Sequence, residues 1–384
     1  MDFAPTEEQA AAQGLAERIF GDLSTHERLA AVGTGTDAEL WKELCAAGLT
    51  AAVEEIGLLG LVLLLEEQGR ATAQVPFAAS CVYGLLAVAG HGTDAQRERL
   101  LPPLRDGTVV ATGAFPARAG IRADGEGCLS GGVRRADGEG GLSGGVRRAD
   151  GEGGLSGSVS YVPWLRDADL VLVADSARDL WIVRTADPGV ATEPVETTAP
   201  WSAARLVLDR APGERIGGAG AYEAMLAVSR TAFAGLQAGV CAGSLARAVA
   251  HTNTRKQFGR PLSTKQAVLL RAADAHMDTE AIRVTAYEAA WRYDTGLPYG
   301  PQALTAAWWA SEAGKRVVHA GQHLHGGTGA DLSHPVHRHF LWGRQLDSYL
   351  GCGSEVLQEL GQLLAEEGPE RRQEEQEWRQ EGPE

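Results

Sequence analysis

Residues 222–251 are Ala-rich and apolar at helical spacing, which predicts one long helix. A second helix is expected to open at Ser263, whose hydroxyl and Gln266 read as a capping box, and to run to about Tyr293 before Gly296 and Pro298 stop it. A third is expected over 301–325. Beyond it, Leu346, Leu350, Leu357, Leu360 and Leu364 keep one helical face across a break at Gly351-Cys352-Gly353. Long helices with short connections predict an antiparallel four-helix bundle over 216–365.

The rest of the chain differs. Residues 1–106 are helical in pattern, punctuated by Gly48, Gly57, Gly69 and Pro76. From 107 to 215 the helical spacing disappears. Stretches such as DLVLVAD (169–175), LWIVRT (180–185) and RLVLDR (205–210) stand between turn residues and predict a small β domain. Inside it, residues 122–160 hold three copies of a 13-residue repeat, RADGEGCLSGGVR and its near-copies, each with an Asp-Gly turn that suits one hairpin. The fold class expected is α+β, mostly α: helical domain, β-barrel-like domain, helical bundle. Residues 366–384 carry eight Glu and three Arg with almost nothing apolar, and are expected to form an acidic mobile tail.

Composition excludes several classes of function. The formal charge of −15 argues against nonspecific binding to nucleic acid or anionic membrane. The most apolar run, LLGLVLLL at Leu58–Leu65, is too short to span a bilayer. The 5 cysteines are widely spaced without a Cys-x-x-Cys pair, as expected for free thiols in a reducing cytoplasm. The N-terminus has neither basic nor apolar signal character, so a cytoplasmic location is expected. His319 and His323 at i,i+4, and the cluster His334, His337 and His339, have spacings that could bind a metal. No cysteine or His-Glu-x-x-His pattern joins them, and no metal site is expected.

Four stretches carry a family resemblance. RKQFGRPLSTKQ (255–266) resembles the Arg-x-x-Phe-Gly segment and helix-opening Gln of the acyl-CoA dehydrogenase family. HLHGGTGADLSHPVHRHF (323–340) is similar to its Gly-Gly-x-Gly turn and following Pro-hydrophobic-x-Arg. LWKELCAAGL with LLLEEQGRATAQVPF resembles its first helices, and LSGSVSYVPWLRDADLVLV its β-strand pair. The resemblance is collinear over residues 3–365. It implies a flavoprotein oxidoreductase that binds FAD and acyl-CoA or another acyl thioester. It also implies a homo- or heterotetramer with a related subunit, FAD shared between neighbours, and an electron-transfer flavoprotein as acceptor. Matched residue by residue, Arg255, Phe258, Gln266, His323, Gly326 and Gly327 would contact the cofactor, and Tyr161, Val162 and Pro163 would face the flavin. A planar guanidinium suits a pyrophosphate, and paired glycines let backbone N–H groups approach an anion. The chain departs from the pattern at His323, where the family often has Gln, and at Ala114-Phe115-Pro116, where it has Thr-Glu-Pro.

The departure that matters most is catalytic. The family reaction removes a proton from the carbon alpha to the thioester, which needs a positioned base. Aligning Ser354-Glu355 with the family's Ser-Glu puts Gly351 where the usual Glu stands. The alternative family position, on the long helix before an Arg, falls on Ser229, followed by Arg230. Neither is a carboxylate, and Glu355, with Ser354 as N-cap, is expected to serve the last helix. The sequence therefore resembles members that work beside an unlike, acid-bearing subunit. Two other readings stand: an active homotetramer with a displaced acid, Asp347 or Glu223, and a non-redox scaffold on the same fold. The space left at Gly351 suits a bulky acyl group, such as a steroid side chain or polyketide.

Overall fold

A computed structural model describes residues 3–116, 146–148 and 154–366. The acidic segment 367–384, the first repeat copy and all of the second but Val146 and Arg147 lie outside the described residues. The chain is mostly helical with two four-stranded sheets, and it divides into two packed units. Their borders cut differently from the three sequence regions. One unit comprises Glu7–Gly57 and Ala73–Ser229; the other comprises Met1–Thr6, Leu58–Thr72 and Arg230–Glu384.

The first unit begins with α1 (Glu7–Leu23), α2 (His26–Val32) and α3 (Ala38–Ala46), and takes α4 (Leu49–Ala71) up to Gly57. There φ is +72°, and the helix kinks. A buried run follows: α5 (Phe77–Ala79), a π-helical turn at Ser80–Leu86, and α6 (Ala87–His91). α7 (Asp94–Arg105) opens on a capping box between Thr93 and Gln96. The strands are β1 (Ala111–Ala114), β2 (Val146–Arg148), β3 (Gly154–Val162), β4 (Leu170–Ala174), β5 (Leu180–Arg184), β6 (Val190–Pro194), β7 (Ala204–Pro212) and β8 (Glu214–Ile216). They form sheets ordered β1-β4-β5-β8 and β2-β3-β7-β6, with β1 and β4 the parallel pair. Every residue of β4 is buried, as befits an inner strand, while β6 lies at an edge and is mostly exposed. Leu155, Val162, Leu206 and Leu208 of one sheet pack with Val171, Val173, Trp181 and Val183 of the other in a single apolar core. β2 and β3 pair so that Arg148, the first residue of the third repeat copy, lies opposite Leu155 of the same copy.

In the second unit, α8 (Ala221–Thr254) contributes from Arg230 onward. A hairpin of β9 (Lys256–Gln257) and β10 (Arg260–Pro261) follows, then α9 (Gln266–Asp294), α10 (Gly300–His325), α11 (Pro335–Tyr349) and α12 (353–366). Gly235, Gly239 and Gly243 form a row at every fourth position of α8. A Cβ on these would strike Val62, the Glu66 backbone and the Arg70 backbone of α4, also four apart. This is close ridge-to-ridge packing that side chains would prevent. The apolar run Leu58–Leu65 is accordingly core, its leucines at most 5% exposed. Asp294, at the end of α9, accepts the Leu58 and Leu59 N–H groups at 2.7 and 2.9 Å, capping the restarted half of α4.

Three local expectations are corrected. α9 begins at Gln266 with Lys265 at its N-cap, and no side chain caps it. Ser263 instead lies in a 3-10 turn, Leu262–Thr264, that the β9–β10 hairpin feeds. The leucine face across the break is not continuous, because Leu357 and Leu364 are exposed while Val356 turns inward. Finally, α12 starts two residues earlier than Ser354 as N-cap would require. Cys352 holds the N-cap place, and its N–H donates to Glu355 Oε2 at 3.2 Å.

Candidate active site and cofactor edge

At the break between α11 and α12, Gly351 has φ +109°, which L-residues rarely adopt. A Cβ built there would lie 3.2 Å from Val356 Cγ2, 3.8 Å from Glu355 Oε2 and 3.9 Å from Arg230 Nη2. A methyl, a carboxylate and a guanidinium thus close around the place of the missing side chain, and the room expected there for a bulky acyl group is not found beside Gly351. Arg230 is 7% exposed and donates through both Nη atoms to Glu359 of α12, at 2.8 and 2.6 Å. This bidentate pair ties α8 to the last helix.

The alternative positions are committed elsewhere. Ser229 is fully buried, and its Oγ donates to the Met225 carbonyl of its own helix at 2.6 Å. Asp347 is buried, receiving Ser311 Oγ at 2.6 Å and Arg344 Nη1 at 2.9 Å. Glu223 is an exposed group paired with Arg178 at 3.1 Å. Both oxygens of Asp347 are thus held by donors from its own helix bundle, so Asp347 reads as structural.

The second-unit residues expected to contact a cofactor follow the ends of α8 and α10 or open α9. His251, in the last turn of α8 and four residues before Arg255, stacks on His325, the last residue of α10, with centroids 4.6 Å apart. The C-terminal ends of α8 and α10, which precede Arg255 and the Gly326–Gly327 turn, therefore meet. Arg255, Gln266, His323, Gly326 and Gly327 are all exposed. Phe258, at the hairpin tip with φ +55°, is 95% exposed with the Lys265 ammonium 5.4 Å from its ring centre. Gly326 has φ +65°, and neither it nor Gly327 would place a Cβ near any other atom. An open glycine turn beside a solvent-facing guanidinium and a bare aromatic ring fits a dinucleotide.

The remaining three positions belong to the first unit. Tyr161 is half-buried, and the Pro163 carbonyl accepts from Thr112 Oγ1 at 2.5 Å. Val162 is fully enclosed in the β core, so its side chain packs strands and does not face a ligand. Pro163 is buried as well, so of the three residues expected to face the flavin only Tyr161 keeps a partly exposed side chain. In place of the family's Thr-Glu-Pro, Phe115 stacks between Tyr83 and Tyr222, at 5.4 and 5.5 Å, all three buried. Sequence reasoning missed this column, as it missed Glu359, because no spacing signals partners so distant in the chain.

Elsewhere in the second unit, a groove of about 500 Å³ is lined by Arg70, Leu245, Val249, His276, Glu280 and Arg283. Behind it Arg283 pairs with buried Glu66 at 3.0 Å. Burial nevertheless pushes the Glu66 carboxyl above its ordinary range.

Comparison with known proteins adds the following. Residues 217–360 match the family described as Acyl-CoA dehydrogenase, C-terminal domain, and residues 6–108 match its N-terminal domain. The chain is 34% identical to Acyl-CoA dehydrogenase FadE27 of Mycobacterium tuberculosis, over 95% of this chain and 99% of that protein. Among solved structures, a glycine-to-alanine variant of the Tcur3481-Tcur3483 steroid ACAD is 40% identical, covering 94% of this chain and 99% of that one, with a TM-score of 0.83. The ChsE4-ChsE5 complex from Mycobacterium tuberculosis is 30% identical over 95% and 99%, also with a TM-score of 0.83.

Proposed function

Since the chain belongs to the acyl-CoA dehydrogenase family, we propose that it is the companion subunit of a heteromeric, FAD-dependent enzyme that dehydrogenates a bulky acyl thioester between its alpha and beta carbons. The observation that carries this reading is Gly351. The break where a base would stand holds a residue with no side chain, in a backbone conformation that favours glycine. FAD, when bound, would supply the hydride acceptor. This chain's part is to hold it: Arg255 and the Gly326–Gly327 N–H groups suit the diphosphate, and Phe258 offers an apolar face. The alpha proton must then be taken by a carboxylate of a related subunit. Similarity to a steroid ACAD and to a two-component complex supports a steroid-type acyl group and an unlike partner. An electron-transfer flavoprotein is the acceptor we assign.

The test is to purify the chain alone and with a related, Glu-bearing subunit. Turnover should require both, and replacing the partner's Glu with Gln should abolish it. Full turnover by the lone chain would overturn the reading.

One observation favours a second reading, an active chain with a displaced acid. Glu355 Oε2 lies 3.8 Å from where a Gly351 Cβ would be. On that reading Glu355→Gln removes turnover of the lone chain. On the companion reading, the same change leaves the mixed enzyme's turnover within about twofold and only weakens the cap of α12.

A further inference from the structure

From 224 to 273 the chain holds no Asp or Glu and 7 Lys or Arg, although the whole carries 50 acidic residues and a net charge of −15. Arg230 is held by Glu359. The other six, Arg247, Arg255, Lys256, Arg260, Lys265 and Arg271, lie on the last turns of α8, the β9–β10 hairpin and the start of α9. All but half-buried Lys265 are exposed. Among the described residues, none of the six joins an ion pair.

The groove of the second unit runs between the same two helices. α8 lines it with Leu245 and Val249, the latter 40% exposed, and α9 with His276, Glu280 and Arg283. Glu280 and Arg283 pair with each other, so what the groove offers a ligand is its apolar α8 wall. The segment that follows α12 has the complementary composition. Residues 367–384 carry 7 Glu, 3 Arg and one large apolar residue, Trp378. Reach allows the two to meet. α12 is fixed to α8 where Glu359 meets Arg230, and Ala246 in the groove lies about 24 Å farther along α8. Trp378 is 12 residues beyond Glu366, the last described residue, and can extend up to about 40 Å from it; Glu384 can extend up to about 60 Å.

We propose that segment 367–384 docks on its own chain along α8, with the Trp378 indole in the α8–α9 groove and its carboxylates on the basic run from Arg247 to Arg271, as a strap that an anionic ligand has to displace. Exposed ion pairs are individually weak. Tethering makes each contact intramolecular, at an effective concentration on the order of millimolar, so weak pairs suffice. The indole on the apolar wall gives the strap its register. Exposed charges are screened beyond about 8 Å at physiological ionic strength, so docking weakens as salt rises. Displacement alone rests on the cofactor reading, through Arg255; docking does not.

The chain has 4 lysines, Lys42, Lys256, Lys265 and Lys315, two of them in the basic run. Carbodiimide coupling of amines to carboxylates in the full chain, read by peptide mass spectrometry, therefore tests the contact. Carboxylates in 374–384 should couple to Lys256 and Lys265 and not to exposed Lys42. Raising salt from about 0.05 to about 0.5 M should cut the yield at least about fivefold. A mixture of unlabelled and nitrogen-15 chains should give links within one isotopic form. Trp378→Ala, and Val249→Glu on the apolar wall, should each lower the yield about fivefold, with circular dichroism showing that the fold is kept. No coupling to Lys256 or Lys265, equal coupling to Lys42, or links only between isotopic forms would overturn the docking. None of these results touches the companion-subunit reading, since no flavin is involved. For displacement, ADP at low salt should bind about threefold tighter to a full chain carrying Glu374→Gln, Glu375→Gln, Glu377→Gln and Glu381→Gln. Equal affinity would overturn displacement. If ADP binds neither protein, displacement falls together with the cofactor reading, and docking stands on the cross-links.

Discussion

Gly351 carries two constraints at once: a backbone angle that favours glycine, and a Val356 methyl 3.2 Å from any added Cβ. Gly351→Ala should therefore lower unfolding stability by about 1–3 kcal/mol in denaturant titration, and an unchanged midpoint would contradict the backbone assignment. By the same argument, Gly351→Glu does not restore a base, since strain redirects the side chain. His339 gives a second residue-scale test. It is buried, with Nε2 3.0 Å from the Arg70 carbonyl, and burial pushes its pKa down to about 4. In the unfolded chain a histidine takes up its proton near pH 6.5, so this group contributes stability above that value. The contribution is lost as pH falls from about 6.5 towards about 4, up to roughly 3 kcal/mol. His339→Gln should remove that slope, as seen by comparing unfolding of both proteins at about pH 7 and about pH 5. Single residues were unevenly legible. Arg255, Phe258 and Gly326 stand in motifs of fixed spacing, whereas Arg230 and Glu359 meet across the fold with nothing in either segment to announce it.

At the scale of elements, the contact of α4 with α8 is the most exacting. Gly239 faces the Glu66 backbone so closely that a Cβ there must push the helices apart. Gly239→Val should cost at least about 2 kcal/mol and lower the thermal midpoint, while the same change at Gly361, with open space around it, should cost well under half as much. Helix periodicity disclosed α8, α9 and α10 to within a few residues, because long amphipathic segments carry a redundant signal. Their ends were less legible. The Ser263 box failed because Pro261 leads into a 3-10 turn that delays α9 until Gln266. The cap of α12 was displaced because Cys352 took the place that Ser354 seemed suited to. Val162 shows a different limit: a motif match names positions in a strand, but not which side chains the core encloses.

At the scale of the molecule, a helical chain with two small sheets follows from the change in periodicity at about 107 and 215, and the structure agrees. How the helices divide into packed units was not legible, because that depends on the glycine row of α8 and the kink at Gly57 rather than on composition. The functional claim belongs to this scale too, since a subunit without a base has a role only within an assembly. Its most direct test is anaerobic mixing of the FAD-loaded lone chain with a steroid-type acyl-CoA, following flavin absorbance in a single turnover. The account predicts no bleaching until a Glu-bearing related subunit is supplied. Rapid bleaching by the chain alone, abolished by Glu355→Gln, would contradict it.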